Sequence, residues 1–181
     1  MKFTLYLILC IPLLHFCVSS PKLHVEKSLK TAIEDTTFAV INFDYNGAQL
    51  SSANANNAAD QFASEFYIQM KAKVVDRNIV RELLRKMELS SAKRLSSAQI
   101  QKIASDLNAR YLIFGTLVSL RTMEEYYDDN KVEIKLTIRI IDSMTGEVVA
   151  MVQNQKSSKE NVNILIQSLV NDAIFFLNRE V

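Results

Sequence analysis

The sequence predicts one α/β domain of three layers, a mixed parallel and antiparallel sheet with helices on both faces. Three observations lead there. Val132, Ile134, Leu136, Ile138 and Ile140 alternate with Glu133, Lys135, Thr137 and Arg139, the period of a half-buried antiparallel strand. Ala109 to Leu117 is a nearly continuous apolar run broken by one glycine, which suits a central strand covered on both faces. Helical stripes separate the earlier apolar runs, and helical crossovers imply parallel pairing.

The chain opens with Lys2 and an apolar run from Phe3 to Phe16. That length fits a secretory h-region and falls short of the roughly 20 residues a spanning helix needs. Residues 1–20 are therefore read as a signal peptide. Two cleavage readings stand side by side. Val18, Ser19 and Ser20 are small enough for a signal peptidase, although Pro21 disfavours a cut directly before it. Alternatively, Leu14-His15-Phe16-Cys17 is a loose lipobox, with Cys17 acylated as the mature terminus and Phe16 standing where a small residue is usual.

About 160 residues remain, enough for one domain. They contain no cysteine after Ser20, so neither a disulfide framework nor a thiolate metal site is available. Once Lys2 is removed, acidic and basic residues balance, which gives no electrostatic case for nucleic acid or for a polybasic membrane patch.

Residues 21–36 read as a tether ending in a helical turn, and 37–181 as the domain. Thr37 to Phe43 is an apolar strand. Asp44 to Asn57, which contains Asn46-Gly47 and the Ser, Ala and Asn run Ser51 to Asn57, reads as a mobile loop. A helix over Ala58 to Lys73 carries Phe62, Phe66 and Met70 at spacings of four, and Val74 to Asp76 is a short strand. Asn78 to Met87 is a helix whose expected face is Ile79, Leu83, Leu84 and Met87. Ser96 and Gln99 form a capping box opening a helix with Ile100, Ile103, Ala104 and Leu107 on its face. Tyr111 to Arg121 is the central strand, and Thr122 to Asn130 is an acidic connection. Lys131 to Asp142 and Glu147 to Lys156 form a hairpin, in which Asp142 starts the turn and Gly146 takes the positive-φ position. Ser157 and Glu160 read as a second capping box before a last helix through Val162, Leu165, Leu169, Ala173 and Leu177.

Ala39-Val40-Ile41-Asn42-Phe43, Val74-Val75-Asp76-Arg77, Leu107 to Thr116 and Ile140-Ile141-Asp142-Ser143-Met144-Thr145-Gly146-Glu147-Val148 occur in this order. In that order they resemble the periplasmic domain of the CsgG-like family, which includes the curli assembly and transport component. The chain is also similar to the related penicillin-binding-protein activator lipoprotein and the flagellar outer-membrane lipoprotein. The resemblance implies a non-enzymatic module in the periplasm or on the outer membrane, assisting envelope assembly or secretion by binding another envelope protein. The pore-forming members carry long amphipathic insertions. Here the only candidate is Thr122 to Asn130, whose Glu124, Glu125, Asp128 and Asp129 would not tolerate a lipid-facing strand. The expectation is the soluble domain without the pore.

No phosphate-cradling glycine motif is present, and the single His of the mature chain, His24, lies in the expected tether. No cofactor, metal site or catalytic residue is assigned. Asp44 and Asp76 follow strand ends, where open α/β sheets bind ligands. A small-ligand or hydrolytic site built on them is the alternative function, and turn and helix-cap carboxylates are the plainer account. Asp128, Asp129 and Asn130 lack the spacing of an EF-hand loop. Tyr126 and Tyr127 are the candidate partner-binding residues, because exposed aromatics anchor interfaces.

Overall fold

The computed structural model of the chain describes residues 21–26, 29, 33, 35–89, 95–120, 131–159 and 161–180. Cys17, Tyr126 and Tyr127 lie outside these residues, as do the leader and the acidic connection. The elements are β1 (Lys22–Val25), β2 (Thr37–Val40), β3 (Asp44–Asn46), α1 (Ser52–Met70), β4 (Lys73–Val74), α2 (Arg77–Lys86), α3 (Ser97–Asp106), β5 (Tyr111–Leu120), β6 (Val132–Asp142), β7 (Val148–Ser158) and α4 (Val162–Glu180).

Seven strands make one sheet in the order β1-β7-β6-β5-β2-β4, with β3 also on β5. β2 runs parallel to β4 and β5, and β3 parallel to β5. β5, β6 and β7 form an antiparallel meander. This is the mixed sheet the alternation and the crossovers predict. One face packs under α1 and α4 through Phe38, Val40, Ile113, Ile138, Phe62 and Leu169. The other packs under α2 and α3 through Ala39, Ile41, Leu112, Val80, Leu84 and Ile103. α2 and α3 reach only the β2–β5 side. Lys135, Thr137, Arg139 and Gln153 are half-buried on the same face further along, where no helix among the described residues covers them.

The expected strand over 37–43 is two pieces on one neighbour. Val40 pairs with Ile113 and Asp44 with Thr116, so three residues on one side face two on the other. The extra residue is a bulge. It turns the Phe43 ring onto the backbone of β5 at Gly115, where a Cβ would sit 2.4 Å from the ring. Gly115 is therefore demanded by packing. An aromatic cluster grows from this point. Phe43 lies 6.0 Å from Phe62, Phe62 5.6 Å from Phe66, and Phe66 5.1 Å from Phe38.

The structure corrects several boundaries. Asp44–Asn46 is strand, and α1 begins at Ser52, where a loop was expected. Ser51 caps it in a reciprocal box with Asn54, and the small residues that looked like low complexity bury Ala55, Ala58 and Ala59 under the helix. The expected tether contributes β1, which pairs with β7 from Lys22↔Gln153 to Val25↔Ala150 and brings an exposed His24 onto the sheet edge. Val80 is buried on α2, whereas Ile79 is 57% exposed. Ser157 lies in β7 opposite Glu133, so it caps nothing. Asn161 caps α4 instead, its side chain accepting from the Asn163 amide at 2.8 Å.

The hairpin turn is as expected. Gly146 has φ +77°, its amide donates to the Asp142 carbonyl at 2.8 Å, and the Asp142 carboxylate accepts from the Met144 amide at 2.8 Å. Two substitutions separate packing from backbone strain. A Cβ at Gly146 would meet nothing within 4 Å, so Gly146→Val should lower stability through its dihedral alone, by about 1–3 kcal/mol. Gly115→Ala should cost about 1–3 kcal/mol through overpacking, and Phe43→Leu should recover part of that loss only in the Gly115→Ala background. Chemical denaturation of the single and double variants tests both; equal losses with and without Phe43 would break the packing account.

Candidate interaction surface

Arg77 opens α2, a place where a cation opposes the helix dipole. It is held there by three other segments. Its Nε donates to Asp60 Oδ1 on α1 at 3.0 Å, Nη1 to the Val40 carbonyl at the end of β2, and Nη2 to Asn42 Oδ1 at 2.9 Å. Arg81, one turn further, donates to the other Asp60 oxygen. Arg77 is 8% exposed, and burial pulls its guanidinium below the ordinary arginine value while Asp60 acts in the opposite sense. The cluster locks α1 and α2 across the β2 end of the sheet. Sequence reasoning passed it over. The signal was a basic residue at the first position of a helix, where the dipole opposes it, directly after the capping Asp76.

Beside this cluster runs a groove of about 370 Å³ between α1 and α2, over the sheet edge formed by β4. Tyr67, Ser64, Val75, Asn78 and Arg81 line it. Tyr67 is 63% exposed, and Ile68 and Ile79 are also exposed on the two helices. Aromatic and arginine side chains on a rigid base are the composition of protein contact sites.

A second cavity, of about 650 Å³, lies at the other end of the strands between α3 and the β6–β7 turn. Two of its polar side chains, Arg110 and Ser143, are committed to the turn. Arg110 Nη2 donates to Asp142 Oδ2 at 2.6 Å, and Ser143 Oγ donates to the Arg110 carbonyl at 2.8 Å.

Of the two strand-end carboxylates, Asp76 lines the groove beside α2 and Asp44 does not. Asp76 caps α2, accepting from the Asn78 amide at 2.7 Å. Asp44 is buried in β3 and lines neither cavity. Among the described residues no three His, Cys, Asp or Glu side chains gather as a metal site. His24 is on β1, at the opposite sheet edge from β4, where Asp76 follows.

No protein-family model matches the chain, and no curated protein matches it. The CsgG-like resemblance thus rests on the ordered motifs alone. Solved structures share the fold. A PelC variant from Paraburkholderia phytofirmans, solved as a dodecamer, is 17% identical over 86% of this chain and 94% of its own, with a TM-score of 0.58. Lipoprotein GNA1162 from Neisseria meningitidis is 10% identical over 80% of this chain and 99% of its own, with a TM-score of 0.55. At these identities the likeness concerns architecture.

The Arg77 cluster predicts an asymmetry. Asp60→Ala leaves a buried guanidinium without its counter-ion and should cost about 2 kcal/mol. Glu82→Ala, on the exposed side of α2 in an i,i+4 pair with Lys86, should leave the stability essentially unchanged. Urea midpoints of the two variants check this, and comparable shifts would show that the cluster is not what joins α1 to α2.

Proposed function

We propose that this protein is a non-enzymatic cell-envelope module, exported by its leader, anchored through a lipid on Cys17 and acting by contact with another envelope protein. The observation that carries the reading is the Tyr67 groove, an exposed aromatic and aliphatic surface set on helices fixed by the Arg77 cluster. Core packing does not use these side chains, so their exposure needs a different account. The shared fold with a lipoprotein supports the envelope setting. The ordered motifs support a place among CsgG-like periplasmic domains, serving assembly or secretion at the periplasmic face of the outer membrane. No helix among the described residues is long and apolar enough to cross a membrane. PelC's dodecamer supports asking whether this chain also assembles with its own copies.

Tyr126 and Tyr127 belong to the same proposal as a second contact point. They lie on the connection that leaves β5 at Leu120 and returns at Val132.

The test has two arms. Metabolic lipid labelling should be lost in Cys17→Ser; if the unaltered protein takes up no label, the anchor is wrong and the leader is simply removed. A photo-crosslinking residue at Tyr67 should give a discrete adduct with one envelope protein, and Tyr67→Ser with Ile79→Ser should weaken that protein's retention without moving the melting temperature. Tyr126→Ser with Tyr127→Ser is assayed alongside. Full retention in both double variants would defeat the contact reading.

A further inference from the structure

α1 and α4 lie side by side and parallel over one face of the sheet. Asn54 Nδ2 donates to Asn163 Oδ1 at 2.7 Å near their N-termini, and Gln61 Nε2 donates to Asn171 Oδ1 at 3.1 Å further along both helices. Each helix is 19 residues long, about 28 Å. Their inner faces fill the core. Their outer faces differ from the rest of the surface. No exposed residue of α1 is charged, and on α4 none is before Arg179 and Glu180 at its end. The exposed face of α2, on the other side of the sheet, carries Glu82, Arg85 and Lys86.

The outer residues follow an order that reads alike from either end. On α4 the stripe is Ile164, Gln167, Asn171 and Phe175, apolar at the ends and amide in the middle. Ile164 is 52% and Phe175 54% exposed. They stand on one side of the helix, about three turns and roughly 16 Å apart. On α1 the stripe is Ala53, Asn57, Ser64 and Ile68, again apolar at the ends and polar in the middle. The α4 stripe is centred at Leu169, and the α1 stripe between Asp60 and Gln61. The two centres are level, because Gln61 Nε2 bonds both the Gln167 carbonyl and the Asn171 side chain, which flank Leu169.

A half-turn about an axis lying across both helices at that level carries each stripe onto itself, reversed. Ile164 then meets the partner's Phe175, and Gln167 the partner's Asn171. Asn57 meets the partner's Ser64, and Ala53 the partner's Ile68. Each contact is made twice, as an isologous interface requires. An amide holds donors and an acceptor together, so a row of amides bonds to its own copy, where a row of lysines or glutamates would repel it. Asn171 Oδ1 already accepts from Gln61, which leaves its NH2 group to donate, and the Gln167 side chain has no hydrogen bond among the described residues. A strongly charged partner would find no counter-charge here, and a lipid interior would leave the amides unbonded. Two adjacent helices give a footprint of about 28 by 20 Å, which with side-chain relief is of the order of the roughly 800 Å² per partner in stable complexes.

We propose that this protein pairs with a second copy of itself through the α1–α4 face, the two helix pairs packing antiparallel about a two-fold axis that passes Gln61 and Leu169. The surface is distinct from the Tyr67 groove, which lies on the α2 side of α1, so the pair displays two grooves, one on each copy. The pairing depends neither on the envelope reading nor on a lipid at Cys17.

No cysteine follows Cys17, so whether Cys17 is lipidated or removed, no other thiol competes with introduced ones. Ile164→Cys with Phe175→Cys, oxidised with copper phenanthroline in the processed full chain, should give a covalent dimer as the main product on a denaturing gel. Either substitution alone should give only the trace that collision produces, because each residue lies roughly 16 Å from its own copy and a disulfide needs Cβ atoms about 4 Å apart. The same separation forbids a bond within one chain. As much dimer from a single substitution overturns the antiparallel register, and no dimer from the double overturns the contact. Sedimentation equilibrium of the same protein, in density-matched detergent where it carries lipid, gives a second reading. The unaltered chain should have the mass of a dimer; a monomer or a larger ring overturns the closed pair. Gln167→Lys with Asn171→Lys sets like charges opposite each other and should give monomers. Gln167→Lys with Asn171→Glu sets opposite charges there and should keep the dimer. Melting curves check that both variants are folded. Dissociation of both, or of neither, removes the proposal. Tyr67→Ser with Ile79→Ser should leave the dimer mass unchanged, so a lost envelope partner with an intact dimer separates the groove reading from this one, and dissociation of that variant overturns the separate α1–α4 interface.

Discussion

The contact between the Phe43 ring and the backbone at Gly115 is the constraint on which the rest of the domain hangs. β5 is bonded on both sides, to β6 along its whole length and to β2 and β3 along the other edge. A side chain at position 115 would push Phe43 out of the place where it meets Phe62. The bulge at 41–43 depends on that space, and through it the direction in which the chain leaves for α1. α1 then carries Phe62 and Phe66 to the sheet and Asp60 to Arg77. One absent methyl group thus links the aromatic core on one face with the ion cluster at the sheet margin.

Much of this was legible because it was local. Alternation from Val132 to Ile140 needs only a pleat with one wet face, and the structure buries Ile134, Leu136, Ile138 and Ile140 as that pattern requires. The Asp142–Gly146 turn and the Ser96–Gln99 cap are likewise short-range chemistry. The misses share another cause. Ser51 to Asn57 is polar by composition, yet Ser51 with Asn54 closes a capping box and the alanines between the polar residues let α1 approach the sheet closely. Lys22 to Val25 has no pattern strong enough to announce a strand; its pairing is supplied by the free edge of β7. Ile79 and Val80 are interchangeable in a four-residue hydrophobic spacing, and only the setting of α2 by Arg77 decides which one turns inward.

The candidate surface was less legible than the fold for the same reason. Arg77 and Tyr67 are far apart in function when read along the chain, one a carrier of a motif and the other an unremarked residue in a helix. They meet because β4 is only two residues long, so α1 and α2 flank one narrow sheet edge. The aspartates that sequence reasoning singled out follow strand ends, as supposed, but Asp76 satisfies a helix amide and Asp44 is enclosed. Position in a topology indicated where a site could be, whereas the partners each side chain finds indicated what it does.

The division of the sheet into a meander and a crossover half has a kinetic consequence. β5, β6 and β7 pair with their neighbours in sequence, so their ladders close after short loops. β2 must wait for α1, β4, α2 and α3 before it can lie beside β5. Loop closure costs entropy before the distant pairing returns any energy. The meander is thus placed to form first, as a template whose outer strand then accepts β2. On a ribosome the order of synthesis runs the other way. β2 and β4 emerge early and can pair only with each other until β5 has been made, which leaves Phe38, Val40 and Ile41 without the strand that flanks them and makes the first half of this chain dependent on the arrival of the second.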